Sequence, residues 1–284
     1  MAELVKFQTF QKFLDFNNEE ILGNYFTYYH LIQLVKALNN HEVDLYKAFN
    51  VTDNLGRNVI CMWTTGDWFI YSHEWTSEMK TLLQDEIEIG KFKNHYFSGA
   101  KHLILELFED GGYSYEMFKD RVIYECTEVE PLQSAKGTVE NVDYEDAEEV
   151  AKMSMENYTE EYQGKGQKTM DFMRSSVLHG IENCKIFLLR ENGEICSLVQ
   201  VINENDDFAM IGNLYTKPEK RNQGLAYNLL HTVTQGLLDN GLEKCGLISD
   251  IMNPASNKVF LKIGYKPIYK WVSVFKAERQ IEPT

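Results

Sequence analysis

The residues whose types and spacing could do chemistry sit in one stretch, Leu214 to Ala226, reading LYTKPEKRNQGLA. It lies between an apolar strand pattern and an amphipathic helix pattern. A strand that turns into a helix N-terminus aims several unpaired backbone N–H groups, and the positive end of the helix dipole, at one point. Such a point binds anions. Gly224 lets backbone approach a ligand closely, Ala226 keeps the helix start uncrowded, and Lys217, Lys220 and Arg221 place three cations beside the loop. A lone R-x-x-G-x-A is equally an ordinary strand-to-helix turn with solvated lysines.

The elements that must position this stretch follow from periodicity. Ala147, Val150, Ala151 and Ser154 recur at helical spacing after the candidate caps Asn141 and Asp143, and Met170, Met173, Val177, Leu178 and Ile181 give a second helix. Lys185–Arg190 and Ile195–Ile202 are strands joined by Asn192-Gly193, which supplies the positive dihedrals of a tight hairpin, and Phe208–Thr216 is a third. A helix striped by Ala226, Leu229, Leu230, Val233, Leu237 and Leu238 ends at Gly241. A strand Cys245–Ser249, a helix from Pro254 to Ile263 stopped by Gly264, and a closing strand Ile268–Lys276 complete the order α-α-β-β-β-α-β-α-β.

The first half gives a similar order. It reads as helix Ile21–Leu38, strands Asp44–Phe49, Asn58–Trp63 and Trp68–Ser72, helix Glu78–Ile89, strand His95–Phe97, helix Ala100–Phe108 and strand Tyr113–Tyr124. Two copies of one topology would explain the length, although any mixed chain can yield such a string. Proline is absent until Pro131, in a polar stretch with Gly137, so the expected division is 1–130, a linker 131–138, and 139–284.

Composition narrows the class. The 284 residues are 44% hydrophobic and carry 43 acidic against 28 basic groups, a net charge of −15 that is concentrated in the first half. That length buries a core without staples, and 16 Phe with 16 Tyr argue against disorder. An acidic chain without a basic tract is no phosphate-backbone binder, so no nucleic-acid partner is expected. No apolar run approaches the roughly 18 residues of a membrane span, and MAELVKFQTF lacks the design of a signal peptide. The expected compartment is the cytoplasm, with no membrane partner. Five scattered cysteines read as reduced thiols. His41 and His73 are each followed by Glu but by no second His in register, so no metal is expected, and no G-x-x-x-x-G-K-[ST] marks a nucleotide loop.

Residues 139 to 278 resemble the GNAT superfamily of N-acetyltransferases, most closely its bacterial predicted acetyltransferases. The first matching block is Leu214, Tyr215, Thr216, Pro218, Arg221, Gly224 and Ala226; the second is Asn253-Pro254-Ala255-Ser256, Phe260 and Gly264-Tyr265. The resemblance implies an α+β GNAT acyl-CoA N-acyltransferase fold, a mixed and mostly antiparallel sheet flanked by helices, in two tandem copies. It implies acetyl-CoA as co-substrate. Backbone groups of Leu214, Tyr215 and Thr216 would pair with the pantetheine arm, the segment Arg221, Asn222, Gln223, Gly224, Leu225 and Ala226 would hold the pyrophosphate, and Asn253, Ser256 and Phe260 would meet the pantetheine or thiol end. A neutral amine attacks the thioester directly, with the backbone N–H of Leu214 or Tyr215 stabilising the oxyanion.

The departures concern protons. The family tyrosine seven residues after the Asn is Phe260 here, leaving Tyr265, Tyr215 or water to protonate the thiolate. Phe208–Thr216 contains no carboxylate, which makes Asp250 the candidate base, with Glu160 and Glu161 behind it; Asp250 reads equally as a helix-entry cap. After Trp68–Ser72 the first half has His73-Glu74-Trp75-Thr76-Ser77-Glu78, with no glycine or cation, so it resembles a degenerate copy that does not bind acetyl-CoA. His73, Trp75 and Trp68 could line a pocket or be core. The expected activity is acetyl transfer to a primary amine of a small molecule or an amino terminus. A non-catalytic acyl-CoA-binding or regulatory module is the other reading, and monomer or homodimer stays open.

Overall fold

The computed structural model describes residues 1–132, 134–164 and 167–277. The chain forms two compact units, one of Met1–Ile123, Asp250–Met252 and Ile268–Thr284, the other of Tyr124–Ser249 and Asn253–Pro267.

The first unit contains β1 (Ala2–Lys6), α1 (Phe10–Gly23), α2 (Tyr29–Asn39), β2 (Leu45–Asp53), β3 (Asn58–Thr64), β4 (Asp67–Tyr71), α3 (Ser77–Ile87), β5 (Tyr96–Ala100), α4 (Lys101–Asp110) and β6 (Tyr115–Cys126). The second runs through β7 (Thr138–Asn141), α5 (Ala147–Tyr162), α6 (Met170–Glu182), β8 (Ile186–Glu191), β9 (Glu194–Glu204), β10 (Phe208–Thr216), α7 (Leu225–Asp239), β11 (Lys244–Asp250) and α8 (Pro254–Ile263), followed by β12 (Lys266–Lys276). Both units repeat one order and one set of pairings. β1 with β2, β2 with β3 and β3 with β4 are antiparallel, as are β7 with β8, β8 with β9 and β9 with β10. β4 with β5 and β10 with β11 are parallel, each across one helix.

The final strands depart from a simple cut of the chain at residue 131. From Ile268 onward β12 counts with the first unit, where Trp271 to Phe275 pair antiparallel with Ala100 to Tyr96 of β5. Tyr124–Cys126, the end of β6, count with the second unit. The segment expected as a linker is bonded into the second unit. Within it Lys136 donates its N–H to Asn228 Oδ1 (2.9 Å), and just before it Glu130 donates its N–H to Ile263 O (2.7 Å) while its carbonyl meets His231 Nε2 at 2.7 Å. Gly137 takes φ +67°, and a Cβ there would press on the Arg190 carbonyl.

Other differences have local causes. The helix expected over Ile21–Leu38 is two helices, because Asn24 closes α1 with its backbone N–H and Nδ2 both on Glu20 O, and buried Tyr25, Phe26 and Tyr28 carry the apolar spacing through the turn. Asn141 ends strand β7 instead of capping a helix, and neither Asp143 nor Asp146 makes a side-chain cap bond. The hairpin over Asn192 (φ 54°) and Gly193 (φ 83°) forms as its sequence dictates.

In the second unit one face of the sheet is covered by α5 and α6. Val150, Ala151 and Met153 with Met173, Val177 and Ile181 close on Ile186, Leu188, Ile195, Leu198 and Tyr215. The three-and-four spacing of the helices meets the two-residue alternation of the strands there. Truncating fully buried Leu198 to Ala would cost about 3 kcal/mol by leaving a cavity.

Candidate functional site

The site is built where β10 leaves its neighbours. On one side its register with β9 shifts between Gly212 and Tyr215, so Asn213 and Leu214 form a bulge, with Asn213 at φ 51°. Two bonds to α5 hold the bulge: Asn157 Nδ2 donates to Asn213 Oδ1 (2.8 Å), and Asn213 Nδ2 donates to Ser154 Oγ (3.0 Å). On the other side the parallel register with β11 runs from Phe208 opposite Lys244 only to Ile211 opposite Leu247, although both strands continue. An amide-bearing ligand can therefore add to β10 beyond Ile211 as a further strand.

Two carbonyls at the end of β10 are steered by side chains. Ser197 Oγ donates to Tyr215 O (2.7 Å) and Arg221 Nε donates to Thr216 O (2.9 Å). A turn over Pro218–Lys220 follows, then Asn222 at φ 61° and Gly224 at φ 83°, and α7 begins at Leu225. Gly224 is the N-cap, no side chain caps the helix, and a Cβ at Gly224 would meet nothing within 4 Å. The glycine is thus required by its left-handed backbone, and the space above it is open to a ligand. The first N–H groups of α7 have no carbonyl one turn earlier in the helix to accept them. Asn228 braces this turn: its Nδ2 donates to Gly224 O (3.0 Å), and its Oδ1 accepts the backbone N–H of Lys136 (2.9 Å).

The three cations expected to face an anion are each committed elsewhere. Lys217 binds Glu149 at 2.7 Å, Lys220 binds Glu194 at 2.8 Å, and Arg221 Nη2 binds Glu160 at 2.8 Å. Carboxylates distant in sequence neutralise the local positive charge, so the loop offers backbone N–H groups more than cationic side chains. The ammonium of Lys136 instead donates to Gln223 O at 2.6 Å, in the middle of the loop. Nothing in the sequence around Lys136 pointed to it.

The remaining candidates fall in different places. Asn253 is the exposed N-cap of α8, its Oδ1 accepting the N–H of half-buried Ser256 (3.1 Å). Phe260 is buried on α8 against Tyr124 and Tyr265, with ring centres at 5.8 and 6.3 Å. Tyr265 is 1% exposed, its hydroxyl is bonded to Thr234 Oγ1 (2.9 Å), and burial drives its phenol far above the ordinary range. It sits in the core. Asp250 accepts the N–H of Met252 through Oδ1 (2.8 Å) and counts with the first unit.

Beside the bulge a cavity of 620 Å³ opens between α5 and the end of β10, lined by Glu149, Glu156, Glu160, Glu219, Met153 and Tyr215 among others. Tyr215 donates its hydroxyl to Glu156 Oε2 (2.9 Å), and burial together with that carboxylate pushes its phenol up to about 12. Glu156 was missed from sequence because nothing marks one carboxylate of acidic α5 from the next. Among the described residues no cluster of His, Cys, Asp and Glu could hold a metal, and no helix is long and apolar enough to cross a membrane.

The corresponding place in the first unit is closed. β4 and β5 stay paired to Ile70 opposite Gly99, and Gly99 (φ +135°) lies so close that a Cβ would run into the Ile70 carbonyl. Beyond β4 the hydroxyl of Tyr269 accepts from Ser72 N (3.4 Å) and donates to Ser72 O (3.0 Å), occupying the backbone there. Thr76 Oγ1 caps α3 by accepting the N–H of Met79. Trp68 stacks on Trp63 in the core, Trp75 Nε1 bonds Glu106, and His73 lies edge-on to Tyr269.

Comparison with known proteins agrees with this geometry. Residues 147–265 match the family model for the acetyltransferase (GNAT) family. No curated protein matches the chain. Among solved structures, an acetyltransferase from the GNAT family of Colwellia psychrerythraea is 13% identical, with a TM-score of 0.62 over 97% of this chain and 100% of that one. A GCN5-related N-acetyltransferase from Sphaerobacter thermophilus is 15% identical, with a TM-score of 0.53 over 80% of this chain and 79% of that one. A protein from Drosophila is 14% identical, with a TM-score of 0.52 over 94% and 95% of the two chains. The chain has the GNAT fold, and residues 147–265 match the acetyltransferase (GNAT) family.

Proposed function

We propose that the second unit transfers an acetyl group from acetyl-CoA to a primary amine, carried by a small molecule or an amino terminus, through direct attack. One observation carries this reading: β10 bulges at Asn213–Leu214 and parts from β11 after Ile211, in line with an uncapped helix start at Gly224. A thioester co-substrate supplies an acyl group already activated toward an amine. Leu214, Tyr215 and Thr216 present backbone to its amide arm, and Asn222 to Ala226 present N–H groups to its phosphates. The N–H groups at the bulge are suited to an oxyanion.

The acceptor enters the cavity beside the bulge, where Glu156 and Glu219 stand with Lys152 and the paired Glu149 and Lys217. Its amine must be neutral to attack, and the Glu156 carboxylate, held by the Tyr215 hydroxyl, is placed at that cavity to take the proton. Asp250 is the alternative base, its Oδ1 already accepting the N–H of Met252 in the turn ahead of Asn253, the cap of α8. The first unit is a copy of the fold whose cofactor cleft is shut, and the reaction belongs to the cytoplasm, where thiols such as those of this chain stay reduced.

Thiol release from acetyl-CoA across a panel of primary amines and peptides tests the proposal. Release with at least one acceptor, lost in Glu156→Gln, is expected. The buried Phe260 and Tyr265 favour the second reading, a module that binds acyl-CoA without turnover, and binding with no release for any acceptor would establish it.

A further inference from the structure

We infer that Lys136, which lies outside the sequence motif and approaches from the segment before β7, is the cation that holds a phosphate of the co-substrate at the start of α7. The inference rests on the proposed acetyl-CoA site. A bound coenzyme A brings a pyrophosphate and a 3′-phosphate, and a site for it gains from a positive side chain that no carboxylate already holds. Lys217, Lys220 and Arg221 do not meet that condition, since each is paired with a glutamate. Lys136 meets it: among the described residues its ammonium has no carboxylate partner and donates to the carbonyl of Gln223, next to Gly224.

The placement is built by the fold. The Lys136 backbone N–H is fixed on Asn228 Oδ1, and Asn228 itself holds the carbonyl of Gly224, so one buried side chain ties the incoming segment to the first turn of α7. Gly137, at φ +67° against the Arg190 carbonyl, fixes the chain on the other side of Lys136. An ammonium has three protons, and one is spent on Gln223. Two remain for phosphate oxygens.

Lys136 could instead be a clip that shapes the loop, so the test must separate charge from shape. Binding of acetyl-CoA, 3′-dephospho-acetyl-CoA and acetyl-pantetheine is measured by calorimetry or competition for the full chain, Lys136→Gln and Lys136→Arg. Glutamine is a donor on a chain one bond shorter and carries no charge, whereas arginine keeps the charge, so the comparison of the two with acetyl-pantetheine separates charge from shape. Acetyl-CoA should bind Lys136→Gln about tenfold or more weakly, as for a lost bond to a charged group. Lys136→Arg should bind within about threefold of the unsubstituted chain. A loss shared by the dephospho compound assigns the pyrophosphate, and a loss confined to acetyl-CoA assigns the 3′-phosphate; acetyl-pantetheine should be unaffected in either case. An equal loss with acetyl-pantetheine, or no loss with any ligand, would overturn the role of Lys136 while leaving the site standing. No acetyl-CoA binding by the unsubstituted chain would overturn both, and shows before any substitution is made.

Discussion

Arg221 stands over the ring of Tyr215, 5.4 Å from its centre, and closes on Glu160 through Nη2 at 2.8 and 3.0 Å. Its Nε is bonded to Thr216 O. The motif arginine is therefore a brace between the end of β10 and α5. Arg221→Gln should destabilise the chain by about 1 kcal/mol, the sum expected of a partly exposed ion pair and a ring contact. Acetyl-CoA affinity should change by less than about threefold, because the guanidinium is already engaged by Glu160 and Thr216 O. Calorimetry and a melting curve check both. A loss of affinity of about tenfold would mean that Arg221 leaves Glu160 for the phosphate.

Two glycines give opposite expectations for the same substitution. At Gly99 the new methyl would collide with the Ile70 carbonyl in a left-handed backbone, so Gly99→Ala should destabilise the first unit by about 3 kcal/mol or more. At Gly224 nothing stands within 4 Å, so Gly224→Ala carries only the backbone strain, about 1 kcal/mol. Urea titrations of the two variants compare them directly.

Burial, and secondarily the charge of Arg121, lower the His30 imidazole from 6.5 to about 4. His30 lies against Trp271 at 4.8 Å with its Nε2 unpartnered. The unfolded chain takes up this proton near pH 6.5 while the folded chain refuses it until about pH 4. The unfolded state binds more protons in that window, so stability is fully present above it and falls as pH drops through it. The shift corresponds to about 3 kcal/mol. His30→Phe, which keeps a ring on Trp271, should flatten the pH dependence of unfolding between pH 6.5 and 4. An unchanged slope would count against a buried neutral imidazole.

The loop that leads into α7 was legible because its determinants are contiguous. A strand, a turn needing a left-handed backbone at Gly224, and a helix stripe lie within a few residues of one another. The repeat of two units was legible for the same reason, since each order of elements is local. What could not be read depends on residues far apart. Glu149, Glu160 and Glu194 take the motif's cations, and Lys136 arrives from a stretch whose polarity reads as a linker. β1 and β7 are short edge strands with little alternation to mark them. The closing strand β12 has the expected pattern of apolar residues, but its pairing with β5 is a choice of partner that no periodicity encodes. Tyr265 and Phe260 matched the motif by position, whereas burial decides what they can do.

The central claim is that one acetyl-CoA binds per chain, at the start of α7. Titration calorimetry of the full chain and of Gly224→Glu tests it most directly, because the glutamate sets a side chain and a negative charge where nothing now stands within 4 Å. The prediction is one equivalent bound by the unsubstituted chain and no binding by Gly224→Glu, whose stability falls only by the backbone strain at this left-handed position, about 1 kcal/mol. Two equivalents bound, or undiminished binding by Gly224→Glu, would contradict it.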